Sequence, residues 1–261
     1  MNRYLKKIIK LVGLEEMRIL PGNLAFSLIF LIIPFASFIG LLLSSSSIDL
    51  KNILSNNMPI VVLNIIESAM YPNPYNILLF LIISLWLSSK GCMAIIVSSN
   101  VLYKIKDNNI IKLKIKSILM IILLFILVSI MLLIILFGDK LIHLININQT
   151  IYNILKYLIS IVIIFIFIKL IYFLAPSKRI SSKYMNKGSI FTTLSWVFLL
   201  RLYSYYLNNY NNYDFYYGNL SNILILLLWM YLLSYLFTIG LSINVNDYLV
   251  SKLEIEKNNK K

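Results

Sequence analysis

Long apolar stretches alternate with short polar stretches along the whole chain. A membrane-spanning helix needs about 20 mostly apolar residues, because each residue rises about 1.5 Å through a hydrocarbon layer about 30 Å thick. Six segments meet this requirement, namely 24–43, 76–101, 117–137, 151–174, 188–207 and 220–245. The pattern therefore predicts an all-α fold, a polytopic membrane bundle of about six transmembrane helices.

The Lys and Arg residues of the polar stretches are concentrated in every second stretch. Eighteen lie in 1–23, 102–116, 175–187 and 246–261, against two in 44–75, 138–150 and 208–219. Positive residues stay in cytoplasmic loops of membrane proteins. The alternation therefore predicts a multi-pass protein of the cell membrane with both termini on the cytoplasmic side.

The composition is typical of a membrane protein, and it affects how the positive net charge is interpreted. Of the 261 residues, 60% are hydrophobic and 13% are charged, whereas a soluble domain carries about 25% charged residues. The net charge of +14 would suggest nucleic acid in a soluble protein. Because the charges alternate with the apolar segments, we expect membrane lipids as partners and no nucleic acid.

The same pattern divides the chain into three parts. Residues 1–23 are predicted to be a cytoplasmic amphipathic leader, since leucines and isoleucines alternate with lysines there as in interfacial helices. A solvated basic leader is the alternative. The six-helix domain follows at 24–245, and a short basic cytoplasmic tail at 246–261. No internal repeat supports an inverted-repeat transporter.

Arg201 is the most conspicuous ionisable residue of the predicted membrane segments. A charged group near the bilayer centre costs about 2.5–3.5 kcal/mol, which favours a functional role with an acidic partner. Asp214 and Glu67 are the candidate partners. The alternative is that Arg201 extends its side chain to the head groups, as we expect for Lys156 and Lys169.

A polar interruption in the second segment is a further candidate site. Ser88, Ser89 and Lys90 precede Gly91, and a break there would line a cavity. Alternatively, the helix is long and Lys90 lies near the cytoplasmic surface. The predicted polar path comprises Arg201, Lys90, Ser88, Ser89, Asn222 and Asn244, although hydrogen bonds between helices would also explain the two asparagines.

The sequence offers little for catalysis or metal binding. Cys92 and His143 are the only cysteine and histidine, so a disulfide within the chain and a zinc site of the usual kind are excluded. Neither a P-loop nor a G-x-S-x-G motif is present. We therefore predict no catalytic residue, no metal, no cofactor and no enzymatic activity.

Several short motifs occur in a distinctive order. Gly188 opens a helix that carries Trp196, a Tyr-Gly turn and a Leu-Trp-x-Tyr helix follow, and Gly240 precedes Asn244 by four residues. Upstream are a proline in the first segment, a Trp-x-Ser-Ser-Lys-Gly run and an Asn-x-x-Tyr pair. The chain resembles the YihY/virulence factor BrkB family in these motifs. The residues that carry the resemblance are Pro34, Trp86, Gly91, Asn100, Tyr103, Gly188, Trp196, Tyr217, Gly218, Trp229, Tyr231 and Gly240.

The resemblance implies a six-helix inner-membrane protein associated with envelope integrity. It implies a transporter or flippase-like protein for a lipid or envelope component. The alternative is a non-transporting structural protein, and the implied partners are envelope components or a homo-oligomer. The ribonuclease label sometimes attached to the family does not fit the residues. Ser242 stands where the family carries an acid, which puts any proton or transport role of that acid in doubt.

Overall fold

The computed structural model describes residues 13, 15–43, 77–106, 109–143, 149–209 and 219–258. Within these ranges the chain forms six α-helices and no strand. They are α1 (Glu16–Leu43), α2 (Ile77–Leu102), α3 (Ile110–His143), α4 (Gln149–Leu174), α5 (Asn186–Asn209) and α6 (Asn219–Asn258), with a 3₁₀ turn at Ser182–Met185. The predicted all-α fold is confirmed, with one helix for each predicted apolar segment.

The helices extend beyond the apolar segments. α1 begins at Glu16, α3 begins at Ile110 and α6 continues to Asn258. α1 and α6 therefore run without interruption through the predicted domain boundaries after residues 23 and 245. Hydropathy marks only the apolar part of a helix, whereas Lys and Glu are good helix formers that continue the backbone hydrogen bonds. Residues 1–12, which hold most of the predicted amphipathic leader, lie outside the described residues.

Among the residues that the structure describes, four helices contain stretches that are long and apolar enough to cross a membrane. These stretches are Leu85–Leu102 of α2, Ile110–Ile130 of α3, Tyr157–Leu174 of α4 and Leu224–Glu254 of α6. Large apolar side chains are also exposed along the outer faces of several helices, as expected where lipid is the solvent. These four helices thus have the length and composition that a crossing requires. The six crossings themselves stay predictions.

The helices pack around one apolar core. α1 packs against α2 and α6, α2 also packs against α3, and α5 packs against α4 and α6. The fully buried apolar side chains of this core lie in α1, α2, α3, α4 and α6, among them Leu24, Ile96, Ile121, Tyr172 and Leu241. The first helix, α1, and the last helix, α6, therefore contribute to the same hydrophobic core.

Three glycines lie where two helices approach closely. A Cβ atom on Gly188 would overlap the backbone oxygen of Gly240, and one on Gly240 would overlap the hydroxyl of Thr192. A Cβ atom on Gly91 would lie 2.8 Å from Cβ of Leu31 in α1. Small residues at such positions let helix backbones approach within a membrane, so the glycines set the spacing of α5 against α6 and of α2 against α1.

We predict that Gly188→Ala destabilises the protein by about 1–3 kcal/mol, the usual cost of overpacking. The added methyl would meet backbone at Gly240, which cannot move without separating α5 from α6. Gly22→Ala is the matched control, because no atom lies within 4 Å of its added Cβ. Thermal unfolding of the detergent-solubilised variants measures the effect. Equal melting temperatures of Gly188→Ala and the wild type would contradict the prediction.

Candidate functional site

A buried row of polar groups joins α4, α5 and α6. The Tyr172 hydroxyl donates a hydrogen bond to the backbone oxygen of Phe237 at 2.7 Å, and it lies 2.7 Å from the Thr192 hydroxyl. Because the single tyrosine proton goes to the Phe237 carbonyl, the Thr192 hydroxyl must be the donor to Tyr172. We call this row the polar seam, and it comprises Tyr172, Gly188, Thr192, Phe237, Gly240 and Asn244.

Asn244 lies at the end of the polar seam nearer the C-terminus of α6. Its Oδ1 accepts a hydrogen bond from the backbone N–H of Gly188 at 2.7 Å. Gly188 lies in the first turn of α5, where backbone N–H groups commonly need partners from outside the helix. At the other end, the Trp196 indole N–H donates to the backbone oxygen of Leu233 at 3.1 Å. The intervals of four residues from Gly188 to Thr192 and Trp196 place these contacts on one face of α5.

Several buried polar atoms near the polar seam in sequence have no hydrogen-bond partner among the described residues. They include Nδ2 of Asn244 itself, the Thr193 hydroxyl next to Thr192, and the Ser234 hydroxyl one turn before Phe237 in α6. An unpartnered buried group of this kind costs about 1–3 kcal/mol. Such groups can accept or donate hydrogen bonds to a water molecule or a polar solute. The seam itself contains no carboxylate, imidazole or amine, so it offers neutral hydrogen bonds rather than a general base.

A second group of contacts holds the chain that leaves α4. The Asn100 amide donates to the Ser177 hydroxyl and accepts from the Ser177 backbone N–H, both at 2.8 Å. The Lys116 ammonium donates to the backbone oxygens of Ala175 at 2.9 Å and Pro176 at 2.5 Å. A positive charge at this position is favourable, because the carbonyl groups at a helix C-terminus carry partial negative charge. The segment 175–177 is thereby bound to both α2 and α3.

The end of α2 positions Asn100 and Tyr103. Lys104 adopts a left-handed conformation with φ of 54°, and the Ile105 N–H bonds the Asn100 carbonyl at 2.8 Å, as in a Schellman motif. The Tyr103 hydroxyl then reaches Sδ of Met185 at 3.7 Å. Burial, with the neighbouring Tyr248 hydroxyl, raises the pKa of Tyr103 above its usual range. Tyr103 is therefore a neutral contact between the end of α2 and the turn before α5.

The ionisable residues of the predicted polar path do not converge. Arg201 is exposed on α5, and its guanidinium carbon lies 5.2 Å from the centre of the Tyr157 ring. Lys90 is exposed on α2, with its ammonium 4.6 Å from the centre of the Trp86 ring. Asn244 is buried in the polar seam. The side chain of Asn222, like the two acids considered for Arg201, lies outside the described residues.

The polar interruption in α2 does not break the helix. α2 is continuous from Ile77 to Leu102, so the predicted break is wrong and the alternative of a long helix holds. Ser88 and Ser89 are buried, and the Ser89 hydroxyl donates to the backbone oxygen of Trp86 at 2.6 Å. A hydroxyl can bond a carbonyl of its own helix in this way, so the polar residues do not require irregular backbone.

The motif residues mostly make contacts between different parts of the fold. Gly91, Gly188, Trp196 and Gly240 lie between helices. Asn100 binds Ser177 after the end of α4, and Tyr103 contacts Met185 of the 3₁₀ turn. Pro34 is buried inside α1, and Trp229 packs its ring 5.6 Å from that of Tyr203. Tyr231 is exposed, and Tyr217 and Gly218 lie outside the described residues. Ser242 is buried with its hydroxyl 3.5 Å from Sδ of Met17, so an acid here would face α1.

Sequence reasoning missed Tyr172, Thr192, Lys116 and Ser177. Two signals could have found part of this set. The four-residue spacing of Gly188 and Thr192 is the small-xxx-small pattern of closely packed membrane helices. A tyrosine inside an apolar segment, as Tyr172 is near the end of α4, needs a partner for its hydroxyl when it is buried. No comparable signal links Lys116 to the end of α4, because that contact depends on how α3 and α4 pack.

The chain is thus an all-helical membrane protein whose helices are joined by glycine contacts and neutral hydrogen bonds. It belongs to the virulence factor BrkB family, whose model matches residues 15–261. It is similar to YfkH of Bacillus subtilis (strain 168), which is named ribonuclease-like, with 26% identity over 97% of this chain and 98% of YfkH.

A shorter match is to the UPF0761 membrane protein IL2447 of Idiomarina loihiensis (strain ATCC BAA-735 / DSM 15497 / L2-TR). The two are 30% identical over 98 residues, which cover 37% of this chain and 34% of that protein. No solved structure matches the chain. Family membership and the apolar helices together indicate a membrane location.

We predict that Tyr172→Phe destabilises the protein by about 1–2 kcal/mol, because the Thr192 hydroxyl is left without its acceptor in a buried site. Tyr157→Phe removes the same atom from an exposed ring and should leave stability unchanged. Thermal unfolding in detergent, followed by circular dichroism, compares the two. A Tyr172→Phe variant as stable as Tyr157→Phe would show that the seam hydrogen bonds do not stabilise the bundle.

Proposed function

We propose that the chain crosses the cell membrane six times, with both termini in the cytoplasm, and acts as a transporter or flippase-like protein for a lipid or envelope component. The observation that carries this proposal is the set of unpartnered polar atoms in the polar seam and near it in sequence. Buried polar groups without partners are costly in an apolar bundle. Their presence on Thr193, Ser234 and Asn244 supports a route or binding site that a polar solute or head group occupies.

The proposal includes no enzymatic activity. The polar seam offers a tyrosine, a threonine and an amide, none of which is a general base near neutral pH. Within the described residues no group of three or more His, Cys, Asp or Glu side chains could hold a metal ion. The ribonuclease-like name is that of YfkH. The residues of the polar seam include no group that would act as an acid or base in the cleavage of RNA.

The second candidate function is a structural or interaction protein that supports the envelope without transport. It is favoured by the tight glycine contacts of α5 and α6, which suit a rigid bundle. It is also favoured by the exposed position of Arg201, whose charge rests on the Tyr157 ring at the helix surface. A partner protein or a second copy of the chain could bind that surface.

Removal of the unpartnered hydroxyls tests the two functions against each other. We predict that the double variant Thr193→Val, Ser234→Ala folds with equal or higher stability, because it deletes unsatisfied polar atoms from buried positions. Its activity should fall strongly if these atoms line a polar route. The measurement is movement of NBD-labelled phosphatidylglycerol and phosphatidylethanolamine between the leaflets of reconstituted vesicles.

Thr238→Val is the matched control, since the Thr238 hydroxyl already donates to the backbone oxygen of Ser234 at 2.8 Å. It should retain most of the lipid movement. Wild-type protein that moves neither lipid, in vesicles where reconstitution is verified, would overturn the flippase proposal for these lipids. Full activity of the double variant would show that the unpartnered hydroxyls are not part of a route.

The topology is tested by labelling single cysteines in a Cys92→Ala background. Lys178→Cys lies in the predicted cytoplasmic stretch 175–187, and Asn211→Cys in the predicted outer stretch 208–219. We expect an impermeant maleimide to label Asn211→Cys in intact cells and Lys178→Cys only after permeabilisation. The reverse pattern, or labelling of both positions in intact cells, would contradict the proposed orientation.

A further inference from the structure

An exposed tryptophan lies close to two lysine ammonium groups where α2 meets the first turns of α3. The centre of the Trp86 ring is 4.6 Å from Nζ of Lys90 and 5.6 Å from Nζ of Lys114, so the two nitrogens are no more than about 10 Å apart. Trp86 remains 58% exposed. Two positive charges held near one open ring form an electropositive surface that is accessible from outside the bundle.

The position of Lys114 is defined by a short chain of hydrogen bonds. Its ammonium donates to the Ser89 hydroxyl at 2.5 Å, and that hydroxyl donates to the backbone oxygen of Trp86 at 2.6 Å. An ammonium has three donors, so Lys114 has two more for a ligand. Among the described residues neither Lys90 nor Lys114 is ion-paired with a carboxylate. Their positive charge is therefore available to an anion.

The surface beside these lysines is apolar. On α3, Ile118, Ile122 and Ile126 follow Lys114 at intervals of four residues, and all three are exposed. Residues four apart lie on one helix face. The same face therefore presents cationic groups at one end and a hydrocarbon stripe beyond them. A ligand that matches both parts carries an anionic head group and acyl chains.

We propose that Trp86, Lys90 and Lys114 bind the phosphodiester head group of an anionic phospholipid, with its acyl chains along the exposed stripe of α3. The lysines neutralise the phosphate, and the indole supplies an N–H donor, as tryptophan does beside lipid head groups. Phosphate chemistry alone would also fit a soluble anion. The adjoining hydrocarbon stripe favours the lipid. The site is on the outside of the bundle and does not depend on transport.

Quenching of tryptophan fluorescence by lipids with brominated acyl chains tests the proposal in the full-length protein. The protein is reconstituted in phosphatidylcholine nanodiscs that contain a small fraction of either brominated phosphatidylglycerol or brominated phosphatidylcholine. We expect stronger quenching by the brominated phosphatidylglycerol, equivalent to about a thirtyfold preference for the anionic lipid from two lysines. The preference should disappear in Trp86→Phe, which removes the reporting ring.

Two double variants with the same loss of charge distinguish binding at this site from the general attraction of a basic protein for anionic lipid. Lys90→Gln with Lys114→Gln should reduce the preference to near one, whereas Lys112→Gln with Lys178→Gln removes two charges elsewhere and should retain it. Quenching by brominated phosphatidylcholine verifies that each variant is folded and embedded. Equal quenching by both lipids in the wild type, or equal loss in both double variants, would overturn the site. Displacement of the brominated phosphatidylglycerol by millimolar inorganic phosphate would overturn the assignment to a lipid.

Discussion

The close approach of α5 to α6 is the constraint on which the rest of the structure depends. Gly188 and Gly240 leave no room for a Cβ atom between the two backbones. Only at this spacing can Asn244 bond the first turn of α5 and can Thr192 reach Tyr172. Within lipid, apolar side chains gain little from leaving one hydrocarbon environment for another. Helices there are held by packing and by hydrogen bonds, which both require such close contact.

The polar seam also connects parts of the chain that are distant in sequence. Tyr172 lies near the end of the apolar segment of α4, while Phe237 belongs to α6, and their hydrogen bond spans 65 residues. The contacts of Asn100 and Lys116 with the residues after α4 then tie α2 and α3 to the same end of the bundle. Neutral hydrogen bonds thus connect the helices in the interior of the bundle. The cationic residues lie at helix ends and on the surface, where their charge is solvated or contacts an anion.

The separation of neutral interior from cationic surface shapes both proposals. The unpartnered hydroxyls of Thr193 and Ser234 are buried near the polar seam in sequence, whereas Trp86 with its two lysines faces outward. A head group held at the outer surface and a polar group accepted in the interior are distinct events with distinct chemistry. Family membership is compatible with both, because it identifies a membrane protein and names no substrate.

The six helices of the described residues and their approximate extents follow from the sequence alone, since an apolar stretch of about 20 residues has few alternatives to a helix in lipid. Its motifs also pointed to Gly188, Gly240 and Asn244. The exposed positions of Lys90 and Arg201 against aromatic rings are set by the packing of the helices and were not predictable from the sequence. The physical reason is that hydropathy depends on each residue and its neighbours along the chain. The direction in which a side chain faces depends on which helices pack against it.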